Sequence, residues 1–230
     1  GGALSGIFQC LKLHESQDAL LLCDSLDCVR RLACNGNKQQ ATVTLTSLPL
    51  LAKLINHRKP VVRMAVFETV GIIGSKNEEN LEECMKLGLI APLIKVILAD
   101  TGDNLDLQLD AVFALLDTIE VANTTQLQTL VSQDLLIAMC NSLELGSAID
   151  DEDLMENVMV HLQDIMSKAT SSEQLEKYTN MIDSSGGFYT LIDLSDSSNH
   201  ALHMLAQELL ADYFKCADCD AVACNHADLV

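Results

Sequence analysis

The sequence predicts an all-α fold, a right-handed solenoid of stacked three-helix units. Three observations predict it. The composition is aliphatic, 49% hydrophobic but only 3% aromatic, with no Trp and three Pro; such a mix packs helix on helix rather than sheet on sheet. Apolar residues recur at helical spacing, as Val62, Ala65, Val66, Thr69, Val70 and Ile73 do in "KPVVRMAVFETVGIIGS". Finally, one type of short helix returns along the chain. Gly6, Pro49, Pro92, Ala138 and Leu191 occupy equivalent places, 43, 43, 46 and 53 residues apart.

The elements follow in order. Short middle helices are expected in "GGALSGIFQCL", "LTSLPLLAKLI", "LGLIAPLIKVI", "SQDLLIAMCNSL" and "SGGFYTLIDL". Pro49 and Pro92 fit their first turns, where a missing N–H is harmless. A longer third helix follows each: "DALLLCDSLDCVRRLAC", "KPVVRMAVFETVGIIGS", "DLQLDAVFALLDTIEVA", "EDLMENVMVHLQDIMSKA" and "NHALHMLAQELLADYFKC". Between units lie short first helices, "NKQQATVTLTS", "KNEENLEECMKLG", "NTTQLQTLVSQ" and "SEQLEKYTNMIDS", with Asn77, Asn123 and Ser171 or Ser172 as N-caps. Gly36 and Gly74 sit where left-handed helix caps are expected. The polar insertion "LELGSAIDDED" is read as a longer loop, and "SKATSSEQ" and "SSG" lengthen the last unit.

Three helices every ~40–47 residues is the period of armadillo and HEAT units, which bury their apolar faces only by stacking. The expected organisation is one armadillo-repeat domain over 1–215, in units of about 1–36, 37–76, 77–122, 123–170 and 171–215, the first incomplete. An acidic, Cys-containing tail covers 216–230. The third helices should line the concave face as a ladder.

Charge narrows the function. Fourteen Lys+Arg against 33 Asp+Glu give a formal net charge of −19, which repels nucleic acid and anionic membranes and suits a basic partner. No apolar run is long enough for a transmembrane helix. The opening "GGALSGIF" has no basic segment before an apolar one, so no secretory signal is read there. Nine Cys, an odd number, include Cys10, Cys23, Cys28, Cys84 and Cys140 in apolar helical patterns, which points to reduced thiols inside the cell.

Four stretches resemble the C-terminal half of importin-α, the nuclear import adaptor. "LPLLAKLINHRKPVVRMAVFETVGIIG" is similar to that family's Leu-Pro-x-Leu second helix and Ala-x-Trp-x-x-x-Asn third helix, and "LIAPLIKVI" repeats the entry. "TQLQTLVSQDLLIAMCNSL" and "MIDSSGGFYTLIDLSDSSNHALHMLAQELLADYF" resemble its later repeats. The basic importin-β-binding segment and the early repeats have no counterpart in this sequence. The resemblance implies a protein-binding adaptor in the nucleus and cytoplasm, with protein cargo, importin-β and an export receptor as partners, and no enzymatic activity or cofactor.

It also implies a site. In that family each third helix presents a Trp and, four residues on, an Asn, together clamping an extended peptide and its Lys stems. The equivalent pairs here are Asp27/Arg31, Phe67/Gly71, Phe113/Asp117 and Val160/Asp164. An acid three residues before the aromatic is kept as Asp24 and Asp110, but becomes Met64 and Asn157 elsewhere, and Arg63 adds positive charge. Phe67 and Phe113 are read either as stacking surfaces or as core residues, and the Asp positions either as binding groups or as solvated surface. Backbone clamping is rewritten, so weak, salt-sensitive binding of basic peptides and a different protein ligand are expected. The last repeat implies export-receptor contacts at His203, Gln207 and Asp212. The alternative reading is an armadillo scaffold that binds a non-standard partner without a transport role.

Other constellations carry less. Cys216, Cys219, Cys224 and His226 lie within eleven residues; they are read as tail rather than as a zinc site, since the loop between ligand pairs is short. The six His are scattered, "SSGG" lacks the Lys and strand of a phosphate loop, and no nucleophile-elbow Ser occurs. Hence no catalytic residue and no metal are assigned.

Overall fold

A computed structural model describes residues 2–12, 18–35, 38–99 and 104–214. The described residues form thirteen helices and no strand: α1 (Gly2–Lys12), α2 (Ala19–Asn35), α3 (Lys38–Leu54), α4 (Pro60–Gly74), α5 (Glu78–Lys86), α6 (Ala91–Leu98), α7 (Leu105–Glu120), α8 (Thr124–Val131), α9 (Leu135–Ile149), α10 (Glu152–Ser167), α11 (Ser172–Ser184), α12 (Gly187–Ser195) and α13 (His200–Tyr213). The chain divides into two compact units, Gly1–Ala138 and Met139–Val230, with the division inside α9. Gly36 and the 216–230 tail, with its Cys and His, lie outside the described residues.

In the first unit the long helices α2, α4 and α7 pack side by side in that order. α3 lies against α2 and α4, α5 against α3 and α4, and α6 against α7. The core between them is aliphatic, with Leu26, Val66, Val70, Ala111 and Leu115 at or near zero exposure. Thr69 and Thr118 are buried among them. Each hydroxyl donates to a carbonyl of its own helix, Thr69 to Ala65 at 2.6 Å and Thr118 to Leu115 at 2.8 Å, so neither needs a partner across the core. In the second unit α13 packs on α10 and α12, and α11 on α12.

Local chemistry sets the helix starts. Asn77, Asn104, Asn123, Asp151, Ser171 and Asn199 each accept a hydrogen bond from a first-turn N–H, satisfying donors that a helix otherwise leaves orphaned. At Asn123 the box is complete, since the Gln126 side chain accepts from the Asn123 N–H at 3.1 Å. α4 has no side-chain cap and starts on Pro60 instead.

Two N-caps also tie one repeat to the previous one. The Asn123 amide donates to Glu78, at the first position of α5, across 45 residues at 3.0 Å. The Asn199 amide donates to Glu152, at the first position of α10, across 47 residues at 2.7 Å. Gln126, 5% exposed, adds a 2.9 Å bond to the Glu78 carbonyl.

Three expectations need correction. Pro49 does not open a helix but lies inside α3; its ring is on the exposed side, and only one ladder hydrogen bond is forfeited there. "LELGSAI" is not loop, because it extends α9 to Ile149. Gly74 takes no left-handed cap. The residue after it has φ −72°, and the positive-φ glycines among the described residues are Gly88 and Gly186, which turn the chain into α6 and α12. Gly74 serves close packing: a Cβ there would lie 2.7 Å from Thr118 Cγ2.

Candidate functional site

The faces of α2, α4 and α7 carry most of the residues singled out from sequence. On α2, Asp24 and Arg31 are exposed and Asp27 is partly covered. Asp27 accepts from Arg30 at 2.5 Å and from Arg31 Nε at 2.6 Å. Arg30 continues to Glu68 on α4. The Arg31 hydrogen bond, then that of Arg30, holds the Asp27 carboxyl below the usual carboxylate range. Two acids and two guanidinium groups thus satisfy one another, and the α2–α4 seam offers little uncommitted negative charge. Sequence reasoning missed Arg30 and Glu68. The i,i+3 spacing of Asp27 and Arg30 was a readable signal; the bridge to Glu68 requires the packing.

On α4 the core reading holds for Phe67. It has no exposed area and cannot stack on a ligand. Gly71 is buried too: a Cβ there would lie 2.9 Å from the Ala114 Cα and 3.1 Å from its Cβ. Position 71 is therefore a helix contact rather than a place for a ligand-clamping side chain. Phe67 shares the face of Gly71 and Gly74 by i,i+4,i+7 spacing, and the close approach of α7 along that face covers the ring. Arg63, one turn earlier, is half-buried with its guanidinium 5.8 Å from the Phe67 ring centroid. Its Nε is buried without a hydrogen-bond partner, and burial lowers its pKa.

α7 differs. Phe113 is 45% exposed, and Asp117, one turn on, is exposed. Asp110 is half-buried, and burial, followed by the charge of Asp106, raises its carboxyl above the usual range. Asp106, one turn before Asp110 on the same stripe and exposed, was missed, although the i,i+4 spacing displays it. The stripe thus reads acid, acid, aromatic, acid. An exposed ring edged by carboxylates suits the stem and head of a Lys or Arg side chain.

In the second unit, Val160 is 44% exposed on α10, and Asp164 pairs with Lys168 at 2.8 Å. On α13, Gln207 and Asp212 are exposed, while His203 is partly covered, its Nδ1 2.5 Å from the Ser195 carbonyl. Among the described residues no group of three or more His, Cys, Asp or Glu is placed to hold a metal ion. No helix among them is long and apolar enough to cross a membrane.

No known protein-family pattern matches the chain, and no curated protein matches it. Solved structures do. The chain is similar to a designed armadillo repeat protein in complex with the peptide (KR)4, with a TM-score of 0.70 at 21% identity, covering 92% of this chain and 82% of that one. It is similar to computationally designed armadillo repeat proteins for modular peptide recognition, with a TM-score of 0.66 at 22% identity, over 86% and 78% of the two chains. A further designed armadillo repeat protein matches with a TM-score of 0.57 at 18% identity, over 88% of this chain and 98% of that one. The fold is an all-α armadillo-repeat solenoid.

Proposed function

We propose that this chain is a non-enzymatic adaptor that binds an extended peptide segment of a partner protein along the third helices of its first unit, α2, α4 and α7. The observation that carries the reading is the exposed stripe of α7, with Phe113 flanked by Asp106, Asp110 and Asp117. It supplies an apolar surface for a side-chain stem and negative charge for its head. Two of the similar designed proteins are described by their binding of, or design for, peptides, which supports the reading.

The finer assignment is a divergent importin-α-like adaptor moving protein cargo between cytoplasm and nucleus. Importin-β and an export receptor would be its partners, the latter through His203, Gln207 and Asp212. The α2–α4 seam favours the alternative, a scaffold for a non-standard partner, because Asp27 and Glu68 are already engaged by Arg30. Phe67, moreover, is unavailable for stacking. Within either reading, runs of basic residues should bind weakly.

Unbiased peptide display on the wild-type chain and on Phe113→Ala tests the groove. Peptides enriched by the wild type and lost on Phe113→Ala support it, and absence of any enriched peptide ends it. Deleting residues 199–230 tests the transport assignment through pull-down of the export receptor. Unchanged capture would remove the proposed role of the last helix.

A further inference from the structure

The α4–α7 seam holds two charges that the described residues leave unpaired. The Arg63 guanidinium has no ion pair or hydrogen bond among the described residues; its Nε is buried and unpartnered and the group rests on the Phe67 ring. The Asp110 carboxylate, half-buried on the neighbouring helix, likewise accepts no hydrogen bond and joins no ion pair among the described residues. Its desolvation is visible in its raised pKa. This is the reverse of the α2–α4 seam, where every guanidinium has found a carboxylate. Leaving a partly desolvated charge unpaired is unfavourable, so both groups are poised to gain from a ligand.

Their placement follows from the helix register. Gly71 faces Ala114 and Gly74 faces Thr118, so α4 and α7 run in the same direction. Two turns back from Gly71, about 12 Å, Arg63 is level with Asp106 and one turn short of Asp110. Packed helices lie about 8–10 Å apart. In an extended peptide, side chains on one face recur every two residues, roughly 7 Å. The two helix positions are thus about 10–11 Å apart, and an acid and a base two positions apart on one strand can splay their flexible side chains to reach both from the same face.

Resting on the peptide-binding reading above, we propose that the α4–α7 seam reads a mixed-charge segment. Its acidic side chain meets Arg63, and its basic side chain, two positions away, meets Asp110 beside Phe113. A run of basic residues would instead place a cation against Arg63. The occupant is thus a peptide of alternating charge pairs rather than a uniformly basic one.

The test compares fluorescein-labelled KKEEKKEE, KEKEKEKE and (KR)4 by fluorescence anisotropy at physiological ionic strength. The first two have identical composition and net charge, so bulk attraction to the acidic chain cancels. Only KKEEKKEE sets opposite charges two residues apart. It should bind about ten-fold more tightly than KEKEKEKE, as expected for two matched charge contacts. Arg63→Glu and Asp110→Asn should each erase the difference. Arg58→Glu, which makes the same charge change at an exposed site, should keep it.

Equal binding of the two mixed peptides, with (KR)4 bound in a Phe113-dependent way, overturns the inference and leaves the groove intact. Binding of no peptide, in display or solution, overturns both. Thermal melts of Arg63→Met and Asp110→Asn complete the set. Stability close to wild type fits charges held for a ligand, and a marked loss in either would make the group a structural one and overturn the assignment.

Discussion

Replacing Gly71 by Ala sets two known effects against each other. In a helix interior the change favours folding by about 1 kcal/mol, because Ala restricts the unfolded chain and suits the helix. Against this stands the geometry at α7. The new Cβ would sit 2.9 Å from the Ala114 Cα, and a backbone atom cannot swing aside as a side-chain tip can. The helices must part, at about 1–3 kcal/mol for overpacking of this kind, so the net expectation is a loss of roughly 0–2 kcal/mol. Gly71→Asn, which would install the clamping residue that the sequence resemblance led one to expect, adds a buried amide without a partner and should lose about 1–3 kcal/mol more. Gly6→Ala is the control, since nothing lies within 4 Å of a Cβ in that helix, and it should gain up to about 1 kcal/mol. Urea denaturation followed by far-ultraviolet circular dichroism reads all three. If Gly71→Ala gains as much stability as Gly6→Ala, the close crossing of α4 and α7 is wrong, and with it the burial of Phe67.

The remaining predictions concern titration. Because the folded Asp27 pKa is lowered by Arg31 and Arg30, its stabilising contribution is present above the unfolded value near 4 and is lost as pH falls through the lowered folded value. Asp27→Asn should therefore flatten the acid limb of a stability–pH curve, and an unchanged limb would show that the cluster is not formed in solution. Burial pushes Cys84 up to about 12 and Cys140 up to about 11. An alkylating reagent should accordingly modify the exposed Cys28 and Cys34 in the native protein and reach Cys84 and Cys140 only on unfolding. Mass spectrometry showing Cys84 labelled as fast as Cys28 would place it outside the core.

How much of this was legible depends on which interactions are local. Asn77, Asn123 and Ser171 were visible as caps because a cap is settled within four residues. The repeat was visible because its period survives insertions. "AVF" at 65–67 and "AVF" at 111–113 are the same string, yet the first Phe has no exposure and the second is 45% exposed. Nothing local separates them; the neighbour that closes over Gly71 and Gly74 does. Pro49 and "LELGSAI" failed for a related reason. Pro and polar residues are turn signals only when packing is silent, and both lie in helices here. The Asp110 and Phe113 stripe could be listed from spacing alone, but the idle Arg63 beside it could not, since pairing is a property of the assembled seam.

The two cap asparagines couple helix starts that lie one repeat apart, one pair in each unit. Asn123 and Asn199 each use the side-chain oxygen to start their own helix and the amide to hold a glutamate that starts a helix one repeat earlier. The cap closes within its own helix, and the amide ties that helix start to the earlier one. When α5 frays, Asn123 keeps its cap and loses the bond to Glu78; when α8 frays, Glu78 loses the same bond. The bridge is lost whichever of the two helices opens, so the two starts loosen together. In amide exchange, protection at the start of α8 would fall with that of α5, and protection at the start of α13 with that of α10.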